Sequence, residues 1–198
     1  MQLIVASKNK KKLKELKKLL KIPQLAIKGL FDFDIKFPDV KEDKNTFIGN
    51  AKKKALTISK LVKNAIILAD DSGLVVEVLS GEPGINSARY AGAAQDDNKN
   101  IAKLLSKLQG KANRKAYFIS TVAIAKNSKI IGISEGRVYG TIIHEKAGTG
   151  GFGYDPIFVP KGYKSTFAQM NPHFKNRISH RYKAIKEAKS MIRKYLKK

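Results

Sequence analysis

Two adjacent carboxylates, Asp70 and Asp71, end the apolar run Ile66-Ile67-Leu68-Ala69, and a hydroxyl (Ser72) and a glycine (Gly73) follow before Leu74-Val75-Val76 resumes. A short apolar run bounded by turn residues reads as a buried strand. Neighbouring side chains of a strand point to opposite faces, so the two aspartates cannot both serve one ligand. Carboxylates at the end of a strand, before a glycine turn, suit a divalent cation in an α/β protein. The same residues also suit an Asx-type turn with solvated aspartates.

Three other stretches could do chemistry. In Ser7-Lys8-Asn9-Lys10-Lys11-Lys12 a strand runs through a tight turn into a helix, with Ser7 or Asn9 as the cap. The free N–H groups of that first turn can bind an anion. Lys12 has the wrong sign for the helix dipole there, a conflict that a polyphosphate would relieve. In Gly148 to Pro156, glycines admit a ligand close to the backbone, and Phe152 and Tyr154 offer faces that could stack on a base. In Ser179-His180-Arg181, a cap would put two cations at a helix start, where a bound anion or base would answer them.

The elements that must position these residues follow from periodicity. Leu3 to Ala6 reads as a first strand, and Leu13, Leu16, Leu19 and Leu20 form one helical stripe ended near Pro23. A second strand falls between Ala26 and Pro38, and a charged loop at 39–44 contains Glu42 and Asp43. Thr46 opens a helix to about Val62, with Phe47, Ala51, Ala55, Ile58, Leu61 and Val62 inward. Leu74 to Leu79 reads as a strand separate from the aspartate strand. Residues 80–94 read as a long connection, functional or mobile. Asp96 caps a helix holding Ile101, Leu104, Leu105 and Leu108 and stopped by Gly110. Residues 116–125 and 130–138 make a hairpin, with a bulge expected at Glu135-Gly136-Arg137, and a last helix starts near Ser179. No repeat or linker divides the chain, so residues 1–198 are expected to form a single domain.

Composition narrows the function classes. The net charge is +24 and the pI about 10.1, which favours polyanionic partners. The basic residues are mostly Lys and scattered, whereas base-edge readout favours Arg. No apolar run approaches a membrane span, and Met1 to Ala6 lacks signal-peptide features. There is no cysteine, which excludes disulfides, thiolate metal sites and cysteine nucleophiles. A cytoplasmic location is the default expectation.

Taken in order, Ser7-x-Asn9-x-x-Lys12, Leu68 to Leu74, Pro83-Gly84-x-x-Ser87-Ala88-Arg89-Tyr90-Ala91-Gly92, Phe152-Gly153-Tyr154-Asp155 and Ser179-His180-Arg181 closely resemble the inosine triphosphate pyrophosphatase family, the HAM1-like proteins. The resemblance covers nearly the whole chain. It implies an elongated mixed β-sheet flanked by helices, with two lobes and a central cleft. It implies a homodimer that uses Mg²⁺ to hydrolyse dITP, ITP and XTP to the monophosphate and pyrophosphate. No membrane and no specific nucleic acid is expected as a partner. Carried over by position, Ser7, Lys8, Asn9, Lys10, Lys11 and Lys12 would cradle the triphosphate. Glu42 and Asp71 would hold the metal, Asp71 would activate water, and Ser72 would touch substrate. Phe152, Gly153, Tyr154 and Asp155 would form the base and sugar pocket, which Lys175, His180 and Arg181 complete. The competing expectations are a nucleic-acid-binding protein with a spent nucleotide fold and a pyrophosphatase for pyrimidine nucleotides.

The chain departs from the family pattern at Lys44, where members carry Gly, at Gly49, where they carry Glu, and at Phe174, where they carry Glu. A Glu at 49 would complete a capping box with Thr46. Gly is about 0.8–1.0 kcal/mol worse than Ala in a helix. Gly49→Glu is therefore expected to stabilise the protein.

Overall fold

A computed structural model describes every residue except 24 and 198. Lys198, part of the Lys-rich end, lies outside the described residues. The strands are β1 (Gln2–Val5), β2 (Ala26–Gly29), β3 (Ala65–Val76), β4 (Lys115–Lys126), β5 (Lys129–Ile142) and β6 (Phe158–Pro160). The helices are α1 (Lys10–Leu20), α2 (Phe47–Leu61), α3 (Asp97–Lys107), α4 (Pro172–Ile178) and α5 (His180–Leu196). The six strands form one mixed sheet in the order β2-β1-β3-β4-β5-β6. β1 runs parallel to both β2 and β3, with Gln2 opposite Ala26 and Ala65, while β5 and β6 are antiparallel. Parallel neighbours need crossover connections, which α1 and α2 supply.

The chain divides into two compact units. Unit 1 comprises residues 1–71, 120–136 and 181–198, and unit 2 comprises residues 72–119 and 137–180. β3 passes from one to the other between Asp71 and Ser72.

In unit 1 the sheet is covered on both faces. Leu3, Val5, Ile66 and Leu68 pack with Leu13, Leu16 and Leu20 of α1 and with Ala184, Ile185, Ala188 and Ile192 of α5. Ile4, Ala65, Ile67 and Ala69 pack with Ala51, Ala55 and Ile58 of α2. Burial on both faces explains why these strands read as continuous apolar runs. Unit 2 has its own core, in which Leu74, Val76, Ile101, Leu104 and Leu108 surround the rings of Phe118, Phe158 and Phe167. Phe118 lies 4.7 Å from Phe158, and Phe158 lies 5.2 Å from Phe167, centroid to centroid.

Three of the predicted caps, those of α1, α2 and α3, form. Asn9 Oδ1 accepts from Lys12 N–H (3.0 Å), Thr46 Oγ1 from Gly49 N–H (3.1 Å), and Asp96 Oδ1 from Asn98 and Lys99 N–H (2.8 and 3.0 Å). Asn127 (φ 47°) and Ser128 (φ 62°) make a two-residue turn between β4 and β5. Positive φ at both positions is the primed hairpin geometry that matches strand twist.

Several expectations are corrected. β3 does not stop at Gly73 but runs on to Val76, and Glu77–Leu79 is a short 3₁₀ turn rather than part of a strand. Gly73 is not among the left-handed glycines, and Leu74 N–H donates to Ser87 Oγ at 2.9 Å, so the backbone stays extended and satisfied. The long connection contains a 3₁₀ segment at Gly84–Arg89 and a bond from Tyr90 Oη–H to Glu82 (2.6 Å). Leu61, expected inward on α2, is 54% exposed at the helix end, while Asn50 and Ser59 are buried. α4 was not anticipated. Pro172 opens it, Asn171 caps it, and Ser179 closes it by donating its N–H to Lys175 O.

The Gly49 expectation also fails on sterics. A Cβ at position 49 would lie 2.8 Å from Lys44 Cβ and 2.9 Å from Thr46 Oγ1. Lys44 and Gly49 are therefore one change rather than two, because bulk present at 44 excludes bulk at 49.

Candidate active site

Alternation along β3 separates the two aspartates, as expected. Asp70 continues the face of Ile66 and Leu68, toward α1 and α5, and Asp71 continues the face of Ala65, Ile67 and Ala69, toward α2. Each meets the charges that its face provides.

Asp70 is buried. Lys12 Nζ of α1 stands 3.3 Å from Oδ2, and Arg181 Nε of α5 stands 3.8 Å from it. Burial alone would raise its pKa, but the charges of Lys12, Arg181 and Lys54 outweigh that and hold it down at about 2. Arg181 also donates to Glu15 Oε2 at 2.6 Å, with both side chains buried. The cations at the starts of α1 and α5 thus have protein carboxylates as partners.

Asp71 faces a different group. Lys54 Nζ of α2 donates to Glu42 Oε1 (2.7 Å), to the Asp70 carbonyl (2.5 Å) and to Asp71 Oδ1 (3.4 Å). Asn50 Nδ2 donates to Asp71 Oδ2 at 3.2 Å, and its Oδ1 accepts from Lys44 N–H at 2.9 Å. Burial raises the Asp71 pKa, the cations Lys54 and Lys12 oppose the rise, and the nearby charges of Glu42 and Asp70 add to it. Burial works against the charge of Lys54, but Asp71, Asp70 and Glu42 overcome it and raise its pKa, so the ammonium is retained.

Glu42 and Asp71 therefore converge on one cationic position. That donor set fits Mg²⁺, which takes one or two protein carboxylates and completes its octahedron with water and phosphate oxygens. Among the described residues no group of three or more His, Cys, Asp or Glu could hold a metal.

Unit 2 holds the second cluster. Lys175 Nζ bonds Asp155 Oδ2 at 2.5 Å, and Phe152 N–H donates to the same oxygen at 2.7 Å. The ammonium also lies 5.3 Å from the Phe152 ring and 5.5 Å from that of Phe167, within cation–π range. Gly153 N–H donates to Asp97 Oδ2 (3.0 Å), and Tyr154 Oη–H donates to the Ser87 carbonyl (2.9 Å). Burial pushes the Tyr154 hydroxyl far up, so it stays a donor. Gly151 has φ +73°, and a Cβ there would collide with the Asp155 carboxylate. The backbone must come that close for Asp155 to hold the loop. The ring of His180 stacks on Phe118, at 4.8 Å and 11°.

The structure brings Lys12, Asp70 and Arg181 together, as it does Glu42 with Asp71, and Phe152, Asp155 and Lys175. It does not gather all of the anion-loop lysines. Lys8 pairs with Asp39 at 3.1 Å, and Lys10 lies over the Phe31 ring at 5.7 Å. Ser7 Oγ accepts from Asn9 N–H at 3.3 Å, a role within the turn itself. Lys11 is exposed on α1, and Ser72 is partly buried in β3.

Lys54, Asn50 and Glu15 were missed from sequence. Asn50 and Lys54 are four apart on one helix face, a spacing that brings side chains together. A polar pair on an otherwise apolar face was the available signal, but the run Lys52-Lys53-Lys54 obscured it.

Residues 3–191 match the Ham1 family. A protein of Desulforamulus reducens named dITP/XTP pyrophosphatase is 46% identical over 194 residues, covering 97% of this chain and 96% of its own. The structure of a HAM1 protein from Coxiella burnetii superposes with a TM-score of 0.89 at 34% identity, covering 98% of this chain and 99% of the other. That of the Staphylococcus aureus Ham1 protein gives 0.87 at 36% identity, covering 98% and 100%.

Proposed function

The chain belongs to the Ham1 family, and from that premise we propose that it hydrolyses non-canonical purine nucleoside triphosphates (dITP, ITP and XTP) to the monophosphate and pyrophosphate. The observation that carries this reading is the convergence of Glu42 and Asp71 on one cationic position, with Asp71 held above its usual pKa. A base whose pKa is raised toward the working pH is the better proton acceptor.

In this reading water attacks the α-phosphorus. An oxygen–phosphorus bond forms, the bridge from the α- to the β-phosphate breaks, and pyrophosphate leaves. Asp71 takes the water's proton, and Asn50 holds the second oxygen of that carboxylate. Lys12, only loosely held by Asp70 at 3.3 Å, shares its charge with the departing phosphates, where developing negative charge is best answered. Mg²⁺ held by Glu42 and Asp71 would supply a lowered pKa for bound water and neutralisation of the phosphates. The loop from Phe152 to Asp155, with Lys175, would bind the base. The ammonium donates to the 6-position acceptor of hypoxanthine or xanthine, where adenine presents a donor, and mispairing a buried polar group is costly.

The chain is proposed to act as one catalytic domain over residues 1–198, as a homodimer in the cytoplasm, on the strength of the family resemblance. No helix of the described residues is long and apolar enough to cross a membrane. The test is a panel of ITP, dITP, XTP, GTP, ATP and pyrimidine triphosphates with Mg²⁺, resolving pyrophosphate from orthophosphate. Pyrophosphate from the inosine and xanthosine nucleotides is expected. Orthophosphate as sole product, or equal turnover of all nucleotides, would overturn the proposal.

A further inference from the structure

The positive charge is unevenly shared. Unit 1 carries 27 of the 40 Lys and Arg and 10 of the 16 Asp and Glu, so most of the +24 belongs to it. Much of unit 1 mixes signs, as Lys8 pairs with Asp39, Lys17 with Asp32 and Lys53 with Asp43. One region differs. Lys189 of α5 reaches across to α1 and donates to the Leu19 carbonyl at 3.1 Å. Lys126, at the end of β4, lies 5.2 Å from the Tyr195 ring of α5. Lys21 closes α1, and Arg193 stands in the last turn of α5.

Among the described residues no carboxylate pairs with Lys21, Lys126, Lys189 or Arg193. Partial burial, and then the like charges of Arg193 and Lys21, lower the pKa of Lys189. Helix C-termini tolerate cations through the helix dipole, so the fold can keep these charges together without acids. Their field is left for an outside anion.

We propose that the C-terminal ends of α1 and α5, with the end of β4, form a surface that binds the phosphate backbone of nucleic acid without sequence preference. A cluster of cations beside an aromatic ring suits a polyanion, and lysines acting as point charges neutralise phosphates rather than read bases. The affinity expected of such a surface is that of non-specific binding, a Kd of about 10⁻⁴–10⁻⁶ M at physiological salt.

The test uses fluorescence anisotropy of a short labelled DNA duplex over a salt series. It compares the full-length chain with K21E/K126E/R193E and with a control carrying the same charge change on exposed unit 2 lysines, K111E/K115E/K164E. The patch variant should lose affinity at least tenfold at low salt. Its slope of log K against log salt should shrink by about 3, at about 0.9 for each phosphate that is no longer neutralised, while the control changes by less than about one. Equal losses in both variants would mean that net charge alone binds DNA, and no loss in either would place binding elsewhere. Each result overturns the proposal, as does wild-type binding to anionic phosphatidylserine vesicles but not to DNA at the same salt. Thermal melts check folding, and a K126E/R193E variant preserves the test if the triple variant is unstable. Pyrophosphate release from ITP should be unchanged in all variants, and its absence in the wild type would count against the catalytic reading alone.

Discussion

Replacing Asp70 by Asn keeps the shape of a buried side chain and removes its charge. The charges of Lys12 and Arg181 hold Asp70 at about 2, against an ordinary value of 3.8. A shift of that size corresponds to roughly 2–3 kcal/mol of stability at neutral pH, at about 1.36 kcal/mol per unit. The sign follows from the depressed value. The contribution is fully present above the unfolded pKa and is lost as pH falls from about 4 toward 2. Removing one partner of a buried ion pair costs about 3–5 kcal/mol. Here Arg181 keeps Glu15 at 2.6 Å and Lys12 is partly solvated, so a loss at or just below the low end of that range is expected. Asp70→Asn should therefore lose roughly 2–3 kcal/mol at pH 7, lowering Tm by roughly 4–12 °C for a chain of this size. Urea unfolding of both proteins from pH 7 to pH 2 checks it, and the gap between them should close to less than about 1 kcal/mol at the acid end. A gap that is absent at pH 7, or that does not change with pH, would refute the assignment of Asp70 as the counter-ion of these cations.

Asp71→Asn should lower kcat by about 10²- to 10⁴-fold, as for loss of a general base, while Asp70→Asn lowers it less; the reverse order in steady-state assays would invert the two faces of β3. Excess chelator should abolish pyrophosphate release from ITP, and full activity under those conditions would remove Glu42 and Asp71 from any metal role. Gly49→Glu should destabilise by about 1–3 kcal/mol through overpacking against Lys44. The double variant Lys44→Gly/Gly49→Glu should recover that loss, and calorimetric melts showing a more stable single variant would restore the simple capping-box argument.

Much of the site's layout was legible because it rests on local rules. Period-two alternation alone puts Asp70 and Asp71 on opposite faces, and cap chemistry alone locates the starts of α1, α2 and α3. What alternation does not say is what waits on each face. Arg181 meets Glu15 across 166 residues of sequence, and Lys12 meets Asp70 across the α1 face. Chain order does not encode which carboxylate answers which cation, so the pairing of Lys12 with Asp70 and of Arg181 with Glu15 was not legible. The same limit governs Gly49. Taken alone, the missing Glu is a helix start deprived of its cap, and restoring it looks favourable. In the fold, the Lys44 side chain occupies the space that any side chain at 49 would enter, its N–H is tied to Asn50, and Asn50 holds Asp71. The turn that opens α2 is thus packed from the loop side rather than from the helix side. Through the bond from the Lys44 N–H to Asn50, that packing bears on the residue that holds Asp71.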